Sequence, residues 1–505
     1  MVEGSSNEFC PDSSFYLYDH NVEVDDEVDV HQFPSFELAS KLLQQYLGQV
    51  HGWLPMIPQD FEGQVRRYYE ESQMVPAEWL AMLNLVFAIG SRHYYLINTQ
   101  RQAGENQRHE HALYMSRAIQ LLRSRSADLL TTSPNLPLVQ AFGLLSFYQL
   151  AVGYVERAWV TIGLALRVGI ALGMHLKNKE NSSLPDKTDE LSRVWWSLLS
   201  LQTFLCSVTG RPSAIPQYEI NTPFPRLPAE YREGRSEIAL QLNFKISVVA
   251  QWAMSSLYSV RAATLPWPSI QKQVVKLKSE LEKLLPAISD RERLILHFSW
   301  FDSMILITRP CLGRRNDNAG PSSIEAHKVA AECIQAAQGV TRLLPDEPSE
   351  RIFQNGPWWC LSLYIMRAMA VLLLAQAHQS STSTNDDMSL NMSTKKLILW
   401  LRWMRPMDPV ADRGLNAVLN TLRRSQNHAN FADVFEQESA DAYGGYLLVP
   451  GRWEVDTSAV YPQLHPEFEG FDDPDFLDSV LSLSSLPMPP VYGSAFAVVD
   501  SSWDW

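Results

Sequence analysis

The side chains best suited to chemistry in this chain are a group of central arginines and tryptophans. Arg157, Arg167, Arg193 and Arg211 lie close together in sequence. Guanidinium groups gathered on facing helices would bind an anionic effector. Taken singly, each would pair with a helix carboxylate such as Glu156 or Glu190, or sit against a helix C-terminus. Trp159, Trp195 and Trp196 would line a pocket for such an effector, or fill a core, since aromatic stripes at helical spacing are usually buried. Arg157, Trp159, Arg167, Arg193 and Arg211 are therefore the candidate effector or partner contacts.

Other chemistry-bearing residues point to no reaction. His109 and His111 are two apart, so on a helix they diverge and cannot chelate as an i, i+4 pair does. A solvated pair is expected. Asp472-Asp473-Pro474-Asp475 has the outline of the aspartate-rich motif of all-α terpene cyclases, which holds magnesium with carboxylates one helical turn apart. Here Phe476 stands where an acid is required, and Pro474 disturbs a helix. There is no Gly-rich phosphate loop and no G-x-S-x-G elbow. No catalytic residue, metal or cofactor is expected.

Charge argues against a direct grip on DNA. The net charge is −14, no Lys or Arg precedes Lys41, and after Arg424 the only basic residue is Arg452. A protein that holds DNA through its phosphates needs a concentrated basic surface, and these acidic ends would repel it. The five cysteines (Cys10, Cys206, Cys311, Cys333, Cys360) show no paired spacing, so reduced thiols in an intracellular compartment are expected. The N-terminus has neither the basic nor the apolar region of a secretory signal. The apolar run Leu361–Ala377 is interrupted by Arg367 and reads as a core helix, so no membrane partner is expected.

The elements that must position these residues are helices. Leu38, Leu42, Tyr46 and Val50 form one stripe, ended by Pro55. Further helices are predicted over 76–96 and 105–122, and from Pro137 to about Gln149. After a break at Gly153, the next carries Trp159, Ile162, Leu166 and Ile170 up to Leu172-Gly173. Another runs from Glu190 to Val208, with Leu191, Val194, Trp195, Leu198 and Leu205 on one face, and stops at Gly210-Arg211-Pro212. Helices follow over 236–263, 268–285, 290–308, 322–344, 357–378, 393–405 and 408–424, with a mobile loop expected at 379–387 (QSSTSTNDD). No period-two alternation with hairpin turns appears, so the expected fold is all-α, built of stacked antiparallel helices. Three regions are expected: an acidic, flexible arm over 1–35, a helical body over 36–430, and an acidic, aromatic tail over 431–505.

The body resembles the fungal-specific transcription factor domain, the helical regulatory region of fungal zinc-cluster regulators. The resemblance covers about 38–430. It opens on Tyr46, His51, Leu54, Pro55 and Phe61. Its most specific part is Gln140-Ala141 followed by Ala158-Trp159, Gly163, Ala165, Arg167 and Leu172-Gly173-Met174-His175. Arg193, Trp195-Trp196 and Gly210-Arg211-Pro212 follow, then Thr308-Arg309-Pro310 and Asp408 with Arg413. Gln202 stands where the family commonly has Asp.

The resemblance implies a nuclear regulator of transcription, whose body answers to a small-molecule effector or a partner protein. The zinc cluster of such factors uses six cysteines around two metal ions. Only Cys10 precedes Cys206 here, so promoter targeting is expected from a DNA-binding partner, or from a cluster encoded upstream. In the tail, Phe476, Leu477, Val480 and Leu481 form an apolar face among acids, as in an activation segment that contacts the transcription machinery. A tail helix docked on the body is the other reading of that segment. An all-α enzyme such as a terpene cyclase, or a helical scaffold, are the alternatives for the whole chain.

Overall fold

The computed structural model describes residue 17 and residues 24–25, 27–71, 74–98, 105–128, 133–177, 185–213, 215, 219–225, 236–284, 293–314, 321–377, 384–425 and 428–444. The described residues are all-α, with no strand among them.

The N-terminal half is built around α3 (Ala77–Asn98). It is crossed by α1 (Phe36–Tyr46) and flanked by α2 (Phe61–Glu71), α4 (Glu105–Asp128) and α5 (Leu136–Ala151). α3 is apolar on nearly every side, so it must be covered all round. By length and composition alone it could cross a membrane, yet most of it lies inside the fold. Gly90 lets α1 approach it closely: a Cβ there would stand 2.3 Å from the carbonyl oxygen of Leu42. α1 runs on into a single π-turn, Leu47–His51, before Pro55.

Sequence signals place the central hairpin. Asn135 caps α5 by accepting from the Leu138 amide at 2.9 Å, and Pro137 sits in the first turn. Gly153 turns the chain at φ 86° into α6 (Val155–Ala171). α6 closes at Gly173, φ 73°, with the Met174 amide bonded back to the Gly169 carbonyl at 3.0 Å. α7 (Pro185–Thr209) then packs on α6 and ends at Gly210.

The C-terminal half continues with α8 (Ser236–Leu257), the short α9 (Val260–Ala263), α10 (Trp267–Glu282) and α11 (Arg293–Thr308). Then come α12 (Pro321–Leu343), the short α13 (Arg351–Asn355), α14 (Leu361–Ala377), α15 (Thr384–Met404), α16 (Pro409–Arg424) and α17 (Ala432–Gly444). Consecutive long helices pack against each other, α11 on α12, α14 on α15 and α15 on α16. Several long-range ties join the halves, among them the contact of His93 on α3 with the Phe353 carbonyl at 3.0 Å. Arg92 on α3 donates to the Met407 carbonyl at 2.5 Å, and Arg413 on α16 donates to the Gly153 carbonyl at 3.3 Å.

Several expectations need amendment. The stretch 236–263 is two helices, because Ser259 starts a new cap there, its hydroxyl accepting from the Ala262 amide. α15 begins at Thr384, so the end of the loop expected at 379–387 is helical. α2 and α17 were not anticipated from periodicity, and α17 carries helical order past residue 430. Part of the expected N-terminal arm is tied down: the Asp25 amide donates to Ser116, and Arg117 donates to Gln32, at 3.1 and 3.0 Å. Of the expected solvated pair, the His109 side chain lies outside the described residues and His111 is half-buried. Its Nδ1 lies 2.7 Å from the Tyr148 hydroxyl, because α4 packs its imidazole over α5.

Candidate functional site

Of the predicted contact residues, the structure brings Arg211 and Trp159 together. Arg211 leaves the end of α7, and its Nη2 donates to Oε1 of Glu156 in the first turn of α6 at 2.5 Å. Its guanidinium lies 4.8 Å from the centre of the Trp159 ring. Arg193 points elsewhere: it is buried on α7, and its charge acts on His51. Arg157 is half-buried, and Arg167 is exposed on α6. On that outer face Val160 and Leu164 are also exposed. Phe476, Leu477, Val480 and Leu481 lie outside the described residues.

Trp195 and Trp196 divide between two surroundings. Trp195 is fully buried against His175 and Gly169. Trp196 faces the loop instead, its ring 4.4 Å from Phe224 and its Nε1 donating to the Pro223 carbonyl at 3.0 Å. Gln202, where the family has Asp, donates to the Ser213 hydroxyl at 3.0 Å.

A second centre is a half-open cavity of about 70 Å³ between α7, α8, α11 and α14. Polar residues reach it at helical spacing. Ser200, Thr203 and Ser207 come from α7, and Ser299, Asp302 and Ser303 from α11. Phe204, Trp359 and Tyr364 form aromatic parts of the wall. Arg367 on α14 pairs with Oδ2 of Asp302 and donates from its other arm to the Ser207 hydroxyl at 2.6 Å. The Tyr364 hydroxyl sits 3.2 Å from that of Ser299.

This centre is electrostatically tense. Burial raises the Asp302 carboxyl above its usual range, while Arg367 pulls it back down. Oδ1 of Asp302 and the Ser200 hydroxyl, both buried, have no hydrogen-bond partner among the described residues. Buried polar groups normally find one, so these two mark a place for a hydrogen-bonding guest. Ser200, Thr203 and Ser207 share one face of α7 by their spacing, a partial trace of this centre in the sequence. Among the described residues, no group of three His, Cys, Asp or Glu side chains is placed to hold a metal.

Residues 43–288 match the family model for the fungal specific transcription factor domain. The match covers a little under half of the chain, and the relatives similar to it are fungal transcription regulators. It is similar to the transcription regulator galc of Aspergillus niger, at 21% identity over 81% of this chain and 61% of the relative. It is also similar to the sorbicillinoid biosynthetic cluster transcription factor 2 of Penicillium rubens, at 25% identity over 87% of this chain and 67% of the relative. An uncharacterised transcriptional regulatory protein of Schizosaccharomyces pombe matches at 21% identity, over 84% and 69%. The chain thus spans about three fifths to two thirds of these relatives' length.

Proposed function

We propose that the chain regulates transcription in the nucleus and catalyses no reaction. Its helical body senses a small effector or a partner protein, and its tail recruits the transcription machinery. The observation that carries this reading is the domain match over 43–288, in a body whose central cavity keeps the Ser200 hydroxyl and Oδ1 of Asp302 without a partner among the described residues. A group so left is what a ligand-responsive core offers to its ligand. The outer face of α6, with Val160 and Leu164 beside Arg167, and the Arg211–Trp159 pair are the surfaces assigned to a partner. DNA targeting is assigned to a DNA-binding partner.

The test is a reporter assay with the full chain tethered to an unrelated DNA-binding module. Activation is expected. Replacing Phe476, Leu477 and Leu481 together by Ala should abolish it, because the bulky residues make the contact. Asp472→Asn with Asp473→Asn should lower it only in part, since the acids steer the encounter. A tethered wild-type chain that leaves the reporter at baseline refutes the activation reading.

A further inference from the structure

On the side of the body formed by α12, α15 and α17 lies an open groove of about 850 Å³. Met388, Met392 and Leu399 are exposed along it, the two methionines by about two thirds (66% and 64%). Methionine surfaces of this kind adapt to bulky apolar side chains. Four cations line the groove, Arg342, Lys395, Lys396 and Arg402, against two carboxylates, Asp346 and Asp433. Lys395 and Lys396 are held at its rim by Asp433 and Asp346, at 2.8 and 2.7 Å. Glu438 also pairs with Arg402, at 3.4 Å, so the groove and its rim carry an excess of one positive charge in a chain whose net charge is −14.

The chain itself contains the complementary sequence. Residues 472–483 read DDPDFLDSVLSL, with four carboxylates, no cation, and Phe476, Leu477, Val480 and Leu481 at helical spacing. α17 forms one wall of the groove through Asp433, Val434 and Gln437, so the chain leaves the body beside the groove it would fill. The connecting residues 445–471 can span at most about 90 Å, far more than the reach needed. A tethered occupant also competes at a high effective concentration, which favours it over a free peptide of equal chemistry.

We propose that this groove is a docking site for residues 472–483 of the same chain. The apolar residues of the segment cover Met388, Met392 and Leu399, and its carboxylates meet the lysine rim. On the activation reading above, the segment would then be held on the body until a coactivator competes for it. Only that last consequence rests on the activation reading.

Photocrosslinking of the full chain tests the docking directly. Met392→benzoylphenylalanine changes an exposed side chain, so the fold should survive. Irradiation should link position 392 to a peptide within 472–483 of the same molecule. Lys395→Glu with Lys396→Glu should cut the yield at least threefold, and so should raising the salt. Replacing Phe476, Leu477 and Leu481 by Ala should abolish the link. No link, a link to another segment, or a link between isotopically distinct copies would each overturn the proposal. If the tethered full chain stays inert even with Lys395→Glu and Lys396→Glu, which free the segment, while the wild-type chain still links, the activation reading fails and the docking stands.

Discussion

Arg367 on α14 and Asp302 on α11 form an ion pair buried beside the central cavity, with the Arg367 guanidinium also 5.6 Å from the Phe204 ring. The pair clamps two helices that are distant in sequence to the Ser207 turn of α7. Removing one partner leaves an uncompensated buried charge, which costs about 3–5 kcal/mol. Arg367→Met should therefore lower unfolding stability by that order in denaturant titration. The double change Arg367→Met with Asp302→Leu should recover most of the loss. A single variant as stable as the parent would mean that water reaches the pair.

A close approach of backbones sets a second expectation. The Leu42 carbonyl lies where a side chain at Gly90 would begin, and backbone cannot move aside as a flexible side chain can. Gly90→Ala should separate α1 from α3 and cost about 1–3 kcal/mol or more, read as a lower melting temperature. An unchanged melting temperature would contradict this packing.

The two adjacent tryptophans should respond differently. Trp195→Ala empties a fully buried site and should cost about 3–5 kcal/mol. Trp196→Ala should also release the Pro223–Phe224 loop. Limited proteolysis should therefore cut near residue 224 in the Trp196 variant before it cuts in the Trp195 variant, compared at equal fractions folded.

Protonation of His51 gives a pH dependence with a defined sign. Its Nδ1 is sealed without a partner, and burial, with the nearby Arg193 charge, lowers the ring to about 4 from an ordinary 6.5. The unfolded chain thus takes up the proton first. The stability contributed by neutral His51 is full above about pH 6.5 and is lost as pH falls towards 4. His51→Gln should flatten that part of the stability–pH curve. An unaltered slope would mean that His51 is solvated in the fold.

DNA binding by this chain alone should be weak and indifferent to sequence, no tighter than about 10⁻⁶ M at physiological salt. Mobility-shift titration measures it. A nanomolar, sequence-selective complex would contradict the acidic charge balance on which the expectation rests.

Many helix boundaries were readable in sequence, though the cap at Ser259 was not. Pro137, Gly153, Gly173 and Gly210 each act within a few residues of their own position. α2 escaped because it buries little apolar surface of its own: only Phe61 and Val65 are buried on it. Glu156 is one of two carboxylates expected to pair with the four arginines taken together, and its pairing with Arg211 joins two helices already seen to be neighbours. The central cavity was harder. Asp302 and Arg367 are 65 residues apart, and nothing local makes them partners. Their neighbours Ser200, Thr203 and Ser207 are individually unremarkable on a helix, and only the packing of α7 against α11 and α14 gathers them.

Cys206, Cys311, Cys333 and Cys360 are all buried and unpaired. Burial pushes Cys311 up to about 11 and Cys333 up to about 12, and raises Cys206 and Cys360 as well. At neutral pH almost no thiolate is present, and it is the thiolate that reacts with alkylating agents and disulfides. These thiols are therefore silent while the body is closed and become reactive only when a helix opens. Their rate of alkylation would report opening free energies at four places: α7, the 3₁₀ turn Arg309–Arg314, α12, and the start of α14. The body thus carries its own chemical clocks for local unfolding, and an effector lodged in the cavity would be detected by the slowing of Cys360 and Cys206, whose helices wall it.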